Sequence, residues 1–162
     1  MATTMVPRST DGVDPKIEEL QLADIARSAA YKLKAEFPDI KFTSGRRTLV
    51  RQAAAMAENV ALKRRWIERT YAPSSLRTQC QDWVDRHPQV TAQEEIAVGL
   101  LEVFKHATTE ELNHFSKHLS GMAFDIKPML NAPHVIATIK ALPGLRMFLE
   151  KEGGLVRWHA EF

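Results

Sequence analysis

A chain of 162 residues, 44% hydrophobic and 26% charged, is one domain by size and large enough to bury a core without covalent staples. A formal charge of +2 is too small to mark a polyanion binder, and a lone cysteine, Cys80, excludes both an internal disulfide framework and a cysteine-pair zinc site. No run is apolar for the length of a membrane span, and Met1–Gly12 lacks the continuous apolar stretch of a signal peptide.

Residues 1–13 are polar, carry Pro7 and Gly12, and read as a loose tail ahead of one domain over 14–162. From Pro15, the apolar positions Ile17, Leu20, Ile25, Ala29 and Leu33 recur at helical spacing and predict one helix to Glu36, ended by Pro38-Asp39. Ile40–Thr43 alternates as a short strand does, delivering Ser44-Gly45 to a turn that aims Arg47 into a cleft. The Ala- and Met-rich stretch from Leu49 predicts a closely packed helix. Helices over about 75–85 and 93–105 follow, the second opened by Thr91-Ala-Gln-Glu94 in capping-box form; Thr108-Thr-Glu-Glu111 opens another short helix.

Met122–Lys127 predicts a strand, Ala132–Leu142 a helix ended by Pro143-Gly144, and Leu145–Lys151 one more helical piece. Gly153-Gly154 then turns the chain into a closing strand, Leu155–Glu161. The sum is an α+β fold, a small antiparallel sheet packed by helices, with a helical insertion over about 60–107. Within that insertion, Lys63-Arg64-Arg65-Trp66-Ile-Glu-Arg69 is a basic run that Glu68 interrupts; it reads as a solvated helix face, not a nucleic-acid surface. Trp66 and Trp83 read as core or groove residues, and Cys80 as a small buried hydrophobe.

Two further segments carry chemistry. Ser116-Lys-His118-Leu-Ser-Gly121-Met-Ala123-Phe-Asp125-Ile126 sets a histidine and an aspartate seven apart around a glycine turn, and Trp158-His159-Ala-Glu161-Phe162 adds a late histidine. A catalytic zinc takes three N/O ligands and keeps a fourth position for water, a set that His118, Asp125 and His159 supply. The other histidines, His87, His106 and His134, read as ordinary surface or core residues. His114, four before His118, lacks the glutamate of a His-Glu-x-x-His motif and belongs near the site, not in it.

Together with Ser44-Gly45-Arg46-Arg47-Thr48 and Gln52, these blocks stand in an order that resembles the zinc peptidases of bacterial cell-wall peptides. Those are the D-alanyl-D-alanine carboxypeptidases, the vancomycin-resistance dipeptidases and the phage L-alanyl-D-glutamate endolysins. The resemblance runs from about Asp24 to Phe162, and the stretch 60–107 has no counterpart in it. It implies a Zn²⁺ cofactor on His118, Asp125 and His159, substrate binding by Arg47, Ser116 and Gln52, and stabilisation by Arg47 of the oxygen that gains negative charge. It also implies hydrolysis of peptide bonds in peptidoglycan stem peptides or cross-links, by an endolysin or a secreted antibacterial effector. Such a protein is made in the cytoplasm and acts on the cell wall in the periplasm after release or secretion. Its partners would be the peptide substrate, delivery machinery and an inhibitor protein, with no nucleic acid and no membrane insertion.

One position departs from the pattern. The family carries Glu or Asp three residues before the last histidine ligand as general base, and this chain has Val156 there. Two carboxylates stand near in sequence: Glu161, two residues past His159 and so on the same strand face, and Glu152 at the Glu-Gly-Gly turn. Glu152 is read as the base and Glu161 as the group that orients a ligand. Val156 keeps open an impaired pseudoenzyme that binds cell-wall peptides, and the insertion keeps open a helical interaction module of which it is the working surface.

Overall fold

The computed structural model describes residues 12–162; the expected tail over 1–13 falls, up to residue 11, outside the described residues. The elements in order are α1 (Pro15–Glu18), α2 (Asp24–Glu36), β1 (Phe42–Ser44), α3 (Leu49–Leu62), α4 (Trp66–Thr70), α5 (Ser75–Arg86) and α6 (Gln93–Lys105). Then come α7 (Thr109–Phe115), a 3₁₀ turn (Lys117–Ser120), β2 (Ala123–Ile126), α8 (Pro133–Lys140), β3 (Met147–Glu152) and β4 (Leu155–Glu161). The four strands form one antiparallel sheet of order β1-β2-β4-β3, and the fold is α+β.

The single helix expected over Pro15–Glu36 is two. The Asp14 side chain caps α1, which stops at Glu18; Gln21, at φ 51, redirects the chain, and α2 begins at Asp24. Apolar spacing does not reveal such a break, because its cause lies elsewhere in the chain. The Leu20 carbonyl accepts from Arg46 N–H at 2.9 Å, and Ala23 N–H donates to the Gly121 carbonyl at 3.0 Å. The interruption therefore holds both motif turns.

Two more expectations are corrected. Leu145–Lys151, read as helical, contains strand β3, which pairs with β4 through the left-handed glycines Gly153 (φ 56) and Gly154 (φ 84). Pairing with β4 supplies the hydrogen bonds and overrides local preference. The box at Thr91 does not form: α6 starts one residue later than it requires, with Ala92 as N-cap and no side-chain bond. The Thr108–Glu111 box does form, with both reciprocal bonds present.

Two hydrophobic clusters result. One joins α1, α2 and α8 to a face of the sheet through Leu33, Phe124, Ile139, Trp158 and Phe162. The other is purely helical, built by α3 to α7 around Met56, Ile67, Leu100 and Phe104. It contains Cys80, whose thiol burial pushes up to about 12. Alanines on α3 let it lie close along α6. The basic run is only partly a solvated face, since Arg64 donates to the carbonyls of Val84, His87 and Val90 at 2.7 to 3.1 Å and so ties off the end of α5. Among the described residues no helix is long and apolar enough to cross a membrane.

Candidate metal centre

The site lies where the two clusters meet, and it begins at the turn after β1. Gly45 packs so tightly on Leu20 that a Cβ there would sit 2.6 Å from the Leu20 carbonyl oxygen. Its own carbonyl accepts from His118 Nδ1 at 2.7 Å, and Arg47 N–H donates to the His118 carbonyl at 2.9 Å. Two motifs 73 residues apart are thereby stitched together. His118 itself is buried in the 3₁₀ turn, which ends at Gly121 in the left-handed conformation (φ 75) that glycine adopts without strain.

Beyond that turn, β2 pairs with β4 so that Asp125 stands directly opposite His159. Opposed residues of antiparallel strands share a face. The outcome is a convergence of donors: His118 Nε2 lies 3.2 Å from His159 Nδ1 and 3.3 Å from Asp125 Oδ1, and His159 Nδ1 lies 2.8 Å from Asp125 Oδ1. Ligand atoms at about 2.0–2.2 Å from a tetrahedral ion stand about 3.3–3.6 Å apart. This trio could close on a small divalent cation with shifts of about half an ångström or less.

The outer nitrogens support that geometry. His118 donates Nδ1–H to a carbonyl, which turns the Nε2 lone pair inward, and His159 Nε2 meets Glu161 Oε1 at 2.9 Å, which leaves Nδ1 for the centre. No protein-family model, curated protein or solved structure matches the chain.

The same contacts also favour a proton on His159. Burial works against charge on His159, yet hydrogen bonds to Asp125 and Glu161, with Glu152 nearby, outweigh it and push the imidazole up to about 10. Burial would raise the Asp125 carboxyl, but His118 and His159 overcome it and hold it well below the usual carboxylate range. Desolvation lowers His118, which favours its neutral form. The hydrogen bond to His159 lowers Glu161, and burial raises Glu152.

Arg47 is placed deeper than a simple substrate clamp. Its Nε donates to Ser44 Oγ at 2.9 Å, Nη1 to Gln52 Oε1 at 3.3 Å and Nη2 to Asp125 Oδ2 at 2.7 Å. A guanidinium has five N–H donors, so two remain, and Arg47 lines the cleft. Gln52 stands behind it: the amide oxygen also accepts from Ser116 Oγ at 3.4 Å, and the amide nitrogen donates to Tyr71 Oη at 3.0 Å. Gln52 does not line the cleft, whereas Ser116 does.

The cleft has a volume of about 1020 Å³ and receives residues from the sheet and from α3 and α4. Glu152, the last residue of β3, brings Oε1 to 4.0 Å from His159 Nδ1, with its side chain 15% exposed. Val156 is 54% exposed. His114 opens on the same cleft, but its side chain is 78% exposed and it takes no part in the trio. Sequence reasoning did not find Tyr71 as the brace behind Gln52, or Trp66 as a contact of the Glu152 turn. Each acts through a partner remote in sequence, so no local spacing could have marked it.

Proposed function

We propose that the protein is a zinc-dependent peptidase hydrolysing peptide bonds of bacterial peptidoglycan. The observation that carries this reading is the convergence of His118 Nε2, Asp125 Oδ1 and His159 Nδ1, with the outer nitrogen of each histidine tied off by Gly45 and Glu161. An open three-ligand N/O set is the donor chemistry of catalytic zinc, which lowers the pKa of bound water to about 7 and polarises a carbonyl. The substrate class comes from the motif resemblance alone.

In this mechanism the chain's own groups do the following. Asp125, fixed by Arg47, and the two histidines would hold the ion. The two N–H groups of Arg47 left over from its internal bonds would be donors for the carbonyl oxygen on which negative charge develops, in a cleft that Arg47 lines. Glu152 accepts the proton of the attacking water and returns it to the leaving amine, the work that a residue at position 156 would otherwise do. Burial raises its affinity for a proton, the direction that a proton-accepting carboxylate needs. Glu161 orients His159 from behind.

The test is elemental analysis of the purified protein combined with mass spectrometry of peptidoglycan fragments after digestion. One zinc per chain, lost in His118→Ala and in His159→Ala, together with newly cut stem peptides, is the expected result. Zinc without cleavage would replace the peptidase by a cell-wall-binding pseudoenzyme, as Val156 suggests. A protein that takes up no zinc would remove both readings in favour of a helical interaction module.

A further inference from the structure

We infer that Trp66 of α4 is a positioning residue that sets where the Glu152 carboxylate stands over the His118–Asp125–His159 centre, so the helical segment is a working part of the site. The inference rests on the peptidase reading above and adds a residue to it that the motif resemblance does not contain.

The β3–β4 turn belongs to the sheet, yet α4 and its approach grip it from the helical side. Trp66 Nε1–H donates to the Glu152 carbonyl at 3.1 Å across 86 residues of sequence. The indole is buried in the helical cluster, so its own position is fixed by that core. Gly153, the next residue, packs closely on it: a Cβ would fall 2.3 Å from Trp66 Cδ1 and 2.6 Å from Thr70 Oγ1. Lys63 Nζ reaches the Gly154 carbonyl at 3.3 Å. Leu155, just past the turn, packs against the helical cluster and not the sheet cluster.

A two-glycine turn has wide conformational freedom of its own. Closed by the Glu152–Leu155 pair of the ladder and held from the helical side by the indole N–H and by close contact, the turn presents the Glu152 side chain with Oε1 4.0 Å from His159 Nδ1. A base must stand within hydrogen-bond reach of the proton it takes, so displacement by about 1 Å lowers the rate without altering the ligands.

Trp66→Phe keeps an aromatic ring in the core and removes only the N–H. Hydrogen exchange of the zinc-loaded protein, read by mass spectrometry over residues 150–156, should speed up by roughly five- to tenfold, the effect of one lost hydrogen bond. Zinc content should stay at the parental level. On purified peptidoglycan, kcat should fall by about tenfold or more with KM nearly unchanged, and Trp66→Phe should add nothing further in a Glu152→Gln background. Gly153→Ala, which crowds the indole directly, should mimic the kcat loss even if Trp66→Phe folds poorly.

Unchanged exchange over 150–156 would overturn the tether. Faster exchange with unchanged kcat would overturn the positioning role while leaving the peptidase reading intact. A parental protein that binds zinc and cuts nothing would overturn the peptidase reading itself, and the positioning role with it.

Discussion

Replacing Arg47 by lysine separates the internal role of its guanidinium from its charge. Arg47 and Asp125 form an ion pair whose side chains are 16% and 18% exposed, so the contact is largely withdrawn from solvent. A lysine ammonium can keep one partner, Asp125, but cannot also reach Ser44 and Gln52 in the planar fork that arginine presents. Two hydrogen bonds at about 1 kcal/mol each are lost, so Arg47→Lys should cost about 2 kcal/mol, or roughly 4–8 °C in melting temperature for a chain of this size. Arg47→Ala also removes the bond to Asp125 Oδ2, leaving His159 as the partner of that carboxylate, and should cost about 3 kcal/mol, one further hydrogen bond to a charged group. Urea unfolding of the metal-free protein measures both, with Arg46→Lys as the control. Arg46 is exposed and its side chain bonds only the Gln21 carbonyl, so its replacement should stay within about 0.5 kcal/mol. Arg47→Lys indistinguishable from Arg46→Lys in stability would refute the internal role, whatever happened to activity.

Zinc must displace the proton that His159 holds up to about pH 10, so apparent zinc affinity should rise about 100-fold between pH 6.5 and 8.5, measured by competition with a chromophoric chelator; a flat profile would contradict the assignment. Without metal the same group works the other way. Its folded-state value lies above the ~6.5 of an unfolded histidine, so its stabilisation is complete below about pH 6.5 and fades as pH rises towards 10 in urea titrations. The carboxylates should also differ in what they disturb. Glu161→Gln should weaken zinc binding about 10–100-fold, while Glu152→Gln should leave zinc in place and slow peptidoglycan hydrolysis by roughly two to four powers of ten. The opposite ordering would transfer the base role to Glu161.

How much of this was legible from residues alone depends on how far each interaction reaches. The fold class, the positions of α3, α5, α6 and α8, the Thr108 box and the strands carrying Asp125 and His159 follow from local periodicity and caps. His118 and Asp125 were legible because they fall in one short block around Gly121, whose backbone need is defined, and His159 because it stands in a late Trp-His pair of the same resemblance. What lay beyond the sequence was everything decided by partners remote along the chain. The break at Gln21 exists because Leu20 and Ala23 bond to Arg46 and Gly121, and β3 is a strand because β4 lies beside it. The inward turn of Arg47 onto Asp125 spans 78 residues and the hold of Trp66 on the Glu152 turn spans 86. Periodicity records which face of an element is apolar, but which distant polar group meets a given carbonyl or carboxylate is settled only when both cores pack and the register Asp125 to His159 is set.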